Sequence, residues 1–415
     1  MPVLNKILGD FIRVGSLTIV DAKGRRHVLA GAPGPTVTIR LHDTKLHRQL
    51  LLKPELYTGE AYMDGRLTIE QGTLRDLLTL YGLNRTSLRA QPIQKTMRAW
   101  VKRLRGLAPK NDVKRSKKNV EAHYDLSNEM YRLFLDEGLN YSCAYYRSPD
   151  DTLEAAQVNK LRHIAAKLDL KPGQKILDIG CGWGSMAIYL ARACEVEVLG
   201  VTLSTQQHAL ATQRAAEAGL SDRVRFELRD YREVEGRFDR IVSVGMFEHV
   251  GLANLAPFFT KVRQLLTDDG VALLHSIGRK GGPGSTGAWV KKYIFPGGYA
   301  PALSETMTAI EQAKLWVTDV EIWRLHYAET LLAWGGRFAA NRDKAADLLG
   351  ERFCRMWEFY LLISEFSFRY GKHMVFHIQL TKNVDTLPLA RDYITEAERR
   401  LQDGEGARRP AAAQA

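Results

Sequence analysis

Residues 176–184 read Ile176-Leu177-Asp178-Ile179-Gly180-Cys181-Gly182-Trp183-Gly184. An apolar run of strand length leads into three glycines at alternate positions, and a helix is expected from about Ser185. Glycines let the backbone approach a ligand where a Cβ would collide. Three of them in five residues carry an entropic cost that a plain turn would not need. Asp178 supplies a fixed acceptor just ahead of the turn. A dinucleotide site would space its glycines Gly-x-Gly-x-x-Gly and open a helix onto a pyrophosphate. The spacing here fits instead an adenosine bearing a sulfonium, and favours an S-adenosylmethionine (AdoMet) methyltransferase over a dehydrogenase.

Outward from this stretch the chain alternates strand and helix. Strands are expected at 175–180, 196–202, 224–228, 239–244 and 271–277, with helices at 185–194, 204–218 and 253–266. Ser204 is placed to cap the second of these helices. The pattern predicts a doubly wound α/β sheet. A glycine-rich interruption at 279–300 is followed by helices at 327–341 and 352–370, then by an alternating strand at 373–380. Residues 1–90 read as a small α+β accessory domain, with strands at 17–20 and 36–39 and a short helix at 74–83. The catalytic domain is expected over 119–400, and residues 401–415, polar and Ala-rich, read as a disordered tail.

Open α/β sheets bind ligands beyond the carboxyl ends of their strands, which selects the residues to consider. The first strand ends at Gly180 and Gly182. After the second, where an acid often grips ribose hydroxyls, stand Thr202 and, one helical turn on, Gln207, with Gln206 as a second choice. After the third come Asp230 and Tyr231; Asp230 suits either an adenine amine or an ordinary turn. Glu248 and His275 project from neighbouring strand ends, where a carboxylate and an imidazole can move a proton. His249 reads as a capping or core histidine. Upstream lie Tyr141-Ser142-Cys143; Cys143 is open to three readings, as nucleophile, buried small hydrophobe or weak donor.

Four cysteines without a CxxC pair or metal-type spacing argue against a disulfide framework and for a reducing cytoplasm. No metal site is expected. The amphipathic N-terminus lacks the apolar core of a signal peptide, and no segment approaches the ~20 apolar residues of a membrane span. The net charge of +12 is concentrated: residues 84–118 hold twelve Lys/Arg against one acid, Asp112. Within residues 91–118, Ile93, Met97, Trp100, Val101, Leu104 and Leu107 form one face of a helix candidate ringed by Lys95, Arg98, Lys102, Arg103 and Arg105. Such a helix suits an anionic bilayer surface; equally, its stripe can pack on the protein while the charges are solvated. A nucleic-acid methyltransferase would also be basic, but no Asn/Asp-Pro-Pro-Tyr-type motif or aromatic base platform is present, so no nucleic-acid partner is expected.

Several stretches together resemble the cyclopropane-fatty-acyl-phospholipid synthases. They are His123-Tyr124-Asp125, Tyr141-Ser142-Cys143-Ala144-Tyr145, Leu177 to Gly184, Gly200-Val201-Thr202-Leu203-Ser204, Val244-Gly245-Met246-Phe247-Glu248-His249-Val250-Gly251 and Trp289-Val290-Lys291-Lys292-Tyr293-Ile294-Phe295-Pro296-Gly297-Gly298. They fall in family order across roughly residues 119–385. The resemblance implies a class I AdoMet methyltransferase fold, a Rossmann-like doubly wound sheet, with the N-terminal accessory domain of phospholipid-acting members. It implies methyl transfer from AdoMet to a cis double bond of a phospholipid acyl chain, then proton loss to a bound bicarbonate that closes a cyclopropane ring. By motif position the bicarbonate ligands would be Cys143, Glu248, His275, Tyr327 and the backbone of Ile277. Glu248 would share a proton with the anion, since two like charges would repel. The AdoMet ligands would be Tyr141, Ser142, Gly180, Gly182, Thr202, Gln207 and Tyr231, with Asp178 fixing the glycine loop. Peripheral association with the inner face of the membrane and a possible homodimer are further family expectations. A relative that methylates the chain without closing the ring is the alternative; an intact bicarbonate set favours closure. A non-catalytic lipid-binding protein would show gaps in that set, and none is seen.

Overall fold

The computed structural model describes residues 11–89 and 127–408. The basic helix candidate at 91–118 and the end of the tail, 409–415, lie outside the described residues. Eleven strands are described: β1 (Val14–Val20), β2 (Arg26–Ala30), β3 (Ala32–Leu41), β4 (Leu67–Gln71), β5 (Lys175–Ile179), β6 (Glu197–Thr202), β7 (Val224–Leu228), β8 (Phe238–Val244), β9 (Leu266–Arg279), β10 (Trp316–Trp323) and β11 (His373–Thr381). Contacts between Cα atoms divide the chain into two compact units.

The first unit joins residues 11–89 to two later segments, Thr286–Pro296 and Leu331–Lys372. The division is therefore not linear along the chain. Its four-stranded sheet runs β2-β1-β3-β4, over a core that includes Leu17, Ile19, Val37, Ile39 and Leu80. Side chains show why the later segments join it. Arg75 makes a two-pronged contact with Glu365 at 3.0 and 2.8 Å, from the helix Leu74–Arg89 to the helix Glu351–Arg369. Lys292 reaches Glu60 at 2.6 Å. Trp289 lies so close to Gly59 that a Cβ there would stand 2.4 Å from its ring.

The second unit holds a seven-stranded sheet of order β10-β11-β9-β8-β5-β6-β7. Strands β5 to β9 run parallel to one another, while β11 pairs antiparallel with both β9 and β10. Period-two alternation in β5 builds both faces. Leu177 and Ile179 join the cluster with Ile241, Phe247 and Phe258. Ile176 joins the opposite cluster, with Val198, Val242 and the helices Leu153–Lys167 and Ser185–Cys194. The chain runs outward through β5, β6 and β7, then resumes at β8 on the other side of β5. That reversal opens a crevice at the carboxyl ends of β5 and β8.

Among the elements that differ from expectation, two are held by partners distant in the chain. Strand β10 was not foreseen; it is an edge strand with Asp319 and Glu321 among its apolar residues. The reading of 401–415 as disordered is corrected over its first part, because a helix spans Asp392–Arg408. Glu405 accepts from Arg162 at 3.1 and 2.5 Å and from Tyr189 at 2.6 Å, and Leu401 packs on the core. Tertiary partners thus order a segment whose composition alone favours solvent.

Candidate active site

The crevice at the β5/β8 switch is lined by Tyr141, Ser142, Asp178, Gly180, Gly182, Thr202, Gln207, Asp230 and Tyr231 among others. All eight residues assigned to AdoMet thus share one cavity. The glycine loop has the backbone its residue type predicts. Gly180 lies at φ +83°, and a Cβ there would stand 2.6 Å from the Cβ of Met246. Gly182 lies at φ +54° with open space where a Cβ would point, which leaves room for a ligand against the backbone.

Opposite the loop, Ser204 caps the helix Thr205–Glu217 by accepting from the N–H of Gln207. This turns Gln207 inward, buried, and leaves Gln206 exposed. Thr202 donates its hydroxyl to Gln207 Oε1 at 2.9 Å and accepts from the N–H of Ser204 at 3.2 Å. Its hydroxyl is thereby engaged, so Thr202 sets the amide of Gln207 rather than standing as an independent donor. Asp230 is gripped by Arg232, at 2.8 and 2.6 Å, and caps the short turn Tyr231–Glu233; the turn reading accounts for its oxygens. The Tyr231 ring sits edge-on to Phe258, and burial pushes its hydroxyl pKa up.

Two residues that the sequence reading passed over hold Tyr141-Ser142-Cys143 in place. Gln157 donates to the carbonyls of Ser142 and Asn140, at 3.0 and 3.3 Å. Lys160, one turn further along the same helix, donates to Ser142 Oγ at 2.9 Å and Asn140 Oδ1 at 3.1 Å. Their signal was polar residues at i, i+3 on the buried side of a helix (Thr152 caps it). Burial shifts the charges near this cavity toward neutrality, lowering Lys160 to about 8 and raising Asp178 to about 7. Asp178 Oδ2 is buried without a hydrogen-bond partner. No described contact ties that oxygen to the glycine loop.

The five residues assigned to bicarbonate fall into two groups. Glu248, in the turn after β8, accepts the N–H of Ile277 on Oε1 at 2.5 Å, while its Oε2 is buried and unpartnered. The register that pairs Val244 with His275 brings the ends of β8 and β9 together. Ile277, whose backbone the family reading gave to the anion, therefore spends its N–H on Glu248. Burial raises Glu248 to about 7 and pushes His275 well below its ordinary value. His249 is likewise lowered, to about 4, by burial alone. The second group is Cys143 and Tyr327. The N–H of Ala144 donates to Thr330 Oγ1 at 3.0 Å, which sets Cys143 beside the first turn of the helix His326–Ala340, where Tyr327 is also buried. The ring of Trp323 lies edge-on to His275 at 5.3 Å and near the Tyr145 ring at 4.7 Å. Cys143 is fully buried and its thiol pKa is pushed up, with no cation hydrogen-bonded to it, so the nucleophile reading loses its physical basis.

Behind His275, Nδ1 meets His377 Nε2 at 2.7 Å, one ring donating to the other. Among the described residues His163, Glu321 and His377 stand close enough to hold a metal. Glu321 already has Lys167 at 2.5 Å, and His163 lies between Glu321 and Glu398 at 2.7 and 2.6 Å. His163 and Glu321 thus belong to an internal ion-pair network, while His377 is bonded to His275.

A seven-stranded sheet with β11 antiparallel between β9 and β10, and a glycine loop at its switch point, define a class I AdoMet-dependent methyltransferase. Comparison with known proteins places it further. The family model for mycolic acid cyclopropane synthetase matches residues 111–378, and the chain belongs to that family. It is 37% identical over 350 residues to the cyclopropane-fatty-acyl-phospholipid synthase of Escherichia coli K12, covering 84% of this chain and 88% of that one. It is 38% identical over 347 residues to a probable fatty acid methyltransferase of Pseudomonas putida, covering 82% and 85%. The crystal structure of mycolic acid cyclopropane synthase CmaA1 complexed with SAH and CTAB is similar with a TM-score of 0.61 at 35% identity, over 64% of this chain and 97% of that one. The protein is thus a methyltransferase of the cyclopropane synthase type, and AdoMet is its methyl donor.

Proposed function

We propose that the protein is a cyclopropane-fatty-acyl-phospholipid synthase, placing the AdoMet methyl carbon on a cis double bond of a phospholipid acyl chain and closing the ring with the help of bicarbonate. The observation that carries this reading is Glu248, a buried carboxyl raised to about 7 with one oxygen fixed by Ile277 and the other unpartnered. A carboxyl that keeps its proton near neutrality can donate to an oxyanion instead of repelling it. The family resemblance assigns such an anion to Glu248, the His275 ring, the Tyr327 hydroxyl and Cys143, whose thiol also donates to the Ala144 carbonyl at 3.3 Å. When bound, bicarbonate supplies a base that a neutral acyl chain does not bring.

An alkene is a weak nucleophile, so the protein must hold it in line with the sulfonium and exclude water. The glycine loop and Gln207 seat the adenosine end. Gln157 and Lys160 fix Tyr141-Ser142-Cys143 so that one segment serves both the cofactor wall and the anion site. His275 and Glu248 would hold the anion, which would supply the base for the proton of the added methyl.

The substrate lies in a bilayer. Among the described residues no helix is long and apolar enough to cross a membrane. Docking of residues 92–118 on an anionic surface is the route this reading assigns. The likeness to a probable fatty acid methyltransferase supports a second reading, methylation without ring closure. Mass spectrometry and proton NMR of lipids after incubation with AdoMet and monounsaturated phospholipid vesicles decide between them. Gain of one carbon and two hydrogens with a cyclopropyl signal supports the first reading. The same gain with an alkene retained overturns it in favour of the second.

A further inference from the structure

The helix Leu153–Lys167 carries two buried lysines, each 1% exposed. Lys167 is fully paired, with Asp319 at 2.8 Å and Glu321 at 2.5 Å. Lys160 is not. Its ammonium donates to two neutral oxygens, Ser142 Oγ and Asn140 Oδ1, and among the described residues no carboxylate lies at ion-pair distance. A buried ammonium without a counter-charge is unfavourable, and a fold that supplies two acids to one lysine leaves the other open for a reason. Lys160 lines the same cavity as Gly180, Gly182 and Gln207. So does Asp178, whose Oδ2 lacks a partner. The wall therefore presents one incompletely paired group of each sign.

We propose that Lys160 is the counter-charge for the methionine carboxylate of AdoMet, held ready by Ser142 and Asn140. The assignment rests on AdoMet being the methyl donor and deepens that reading. The amino-acid end of AdoMet carries one carboxylate and one ammonium, which complements this wall. Lys160 is then a binding residue, and Ser142 acts on the cofactor partly by aiming it.

The test is calorimetric titration of the full-length protein with three probes: S-adenosylhomocysteine, its analogue lacking only the carboxylate (5′-deoxy-5′-(3-aminopropylthio)adenosine), and 5′-methylthioadenosine. Lys160→Met is expected to weaken S-adenosylhomocysteine roughly 10- to 100-fold while leaving the decarboxylated analogue within about threefold. Retained 5′-methylthioadenosine binding certifies the fold. Equal losses for the first two probes, or no loss, overturn the proposal by making Lys160 a prop for Ser142. If Lys160→Met does not fold, the wild-type protein decides: it must bind the decarboxylated analogue at least about tenfold more weakly than S-adenosylhomocysteine, and equal affinities overturn the proposal. Wild-type binding of S-adenosylhomocysteine without any lipid product would sink the proposed reaction and leave this assignment standing. Absence of that binding would sink both.

Discussion

The N–H of Ile277 donates to Glu248 Oε1 across 2.5 Å and leaves Oε2 buried without a partner. One oxygen fixes the side chain, and the other is free for chemistry. Glu248→Gln keeps an oxygen for Ile277 but loses the titratable proton. Cyclopropanation is expected to fall by about 100-fold or more, with S-adenosylhomocysteine affinity unchanged by calorimetry. Wild-type turnover in the variant would remove Glu248 from the reaction.

The same carboxyl makes stability depend on pH. Its pKa rises from 4.5 to about 7 on folding, through burial. Between those values the folded state binds more protons than the unfolded one, so stability falls as pH rises. The difference between wild type and Glu248→Gln should shift against the wild type by up to about 3 kcal/mol between pH 4.5 and 8. Denaturant melts at both pH values measure it, and a pH-independent difference contradicts the shift.

Gly180→Ala meets two obstacles, a φ of +83° and the Met246 side chain at 2.6 Å. We expect a loss of about 1–3 kcal/mol in stability and at least a tenfold loss in S-adenosylhomocysteine affinity. Native affinity in the variant would mean that the loop does not seat the cofactor.

Gln207 and Gln206 separate sharply. Gln207→Ala should weaken S-adenosylhomocysteine about tenfold, the loss of one good hydrogen bond, whereas Gln206→Ala, exposed, should change nothing. The reverse order in a calorimetric comparison would show the helix to be set differently.

Exchanging Lys and Arg at 95–118 for Gln should weaken flotation with anionic vesicles by about 1 kcal/mol per residue near the surface, less in high salt. Turnover of detergent-dispersed lipid should persist. Unchanged flotation would return the basic run to a solvated role.

The glycine loop, the apolar run of β5, the Ser204 cap and the places of the parallel strands along the chain were legible because each is local. Strand β10 was not, since Asp319 and Glu321 break its apolar pattern and make sense only opposite Lys167. The helix ending at Arg408 was not, because Arg162 and Tyr189, which hold Glu405, lie more than two hundred residues away.

The sequence by itself determined the class of ligand and the strand ends that meet it, because glycine spacing and period-two burial act between near neighbours. Only the tertiary structure decided which of two glutamines turns inward, that Ile277 is engaged by Glu248, and that Lys160 and Lys167 differ. Those two lysines share a helix and a buried face. One meets Asp319, 152 residues along the chain; the other meets a cavity. Pairing of a buried charge depends on what folding brings from afar, and no local pattern encodes it.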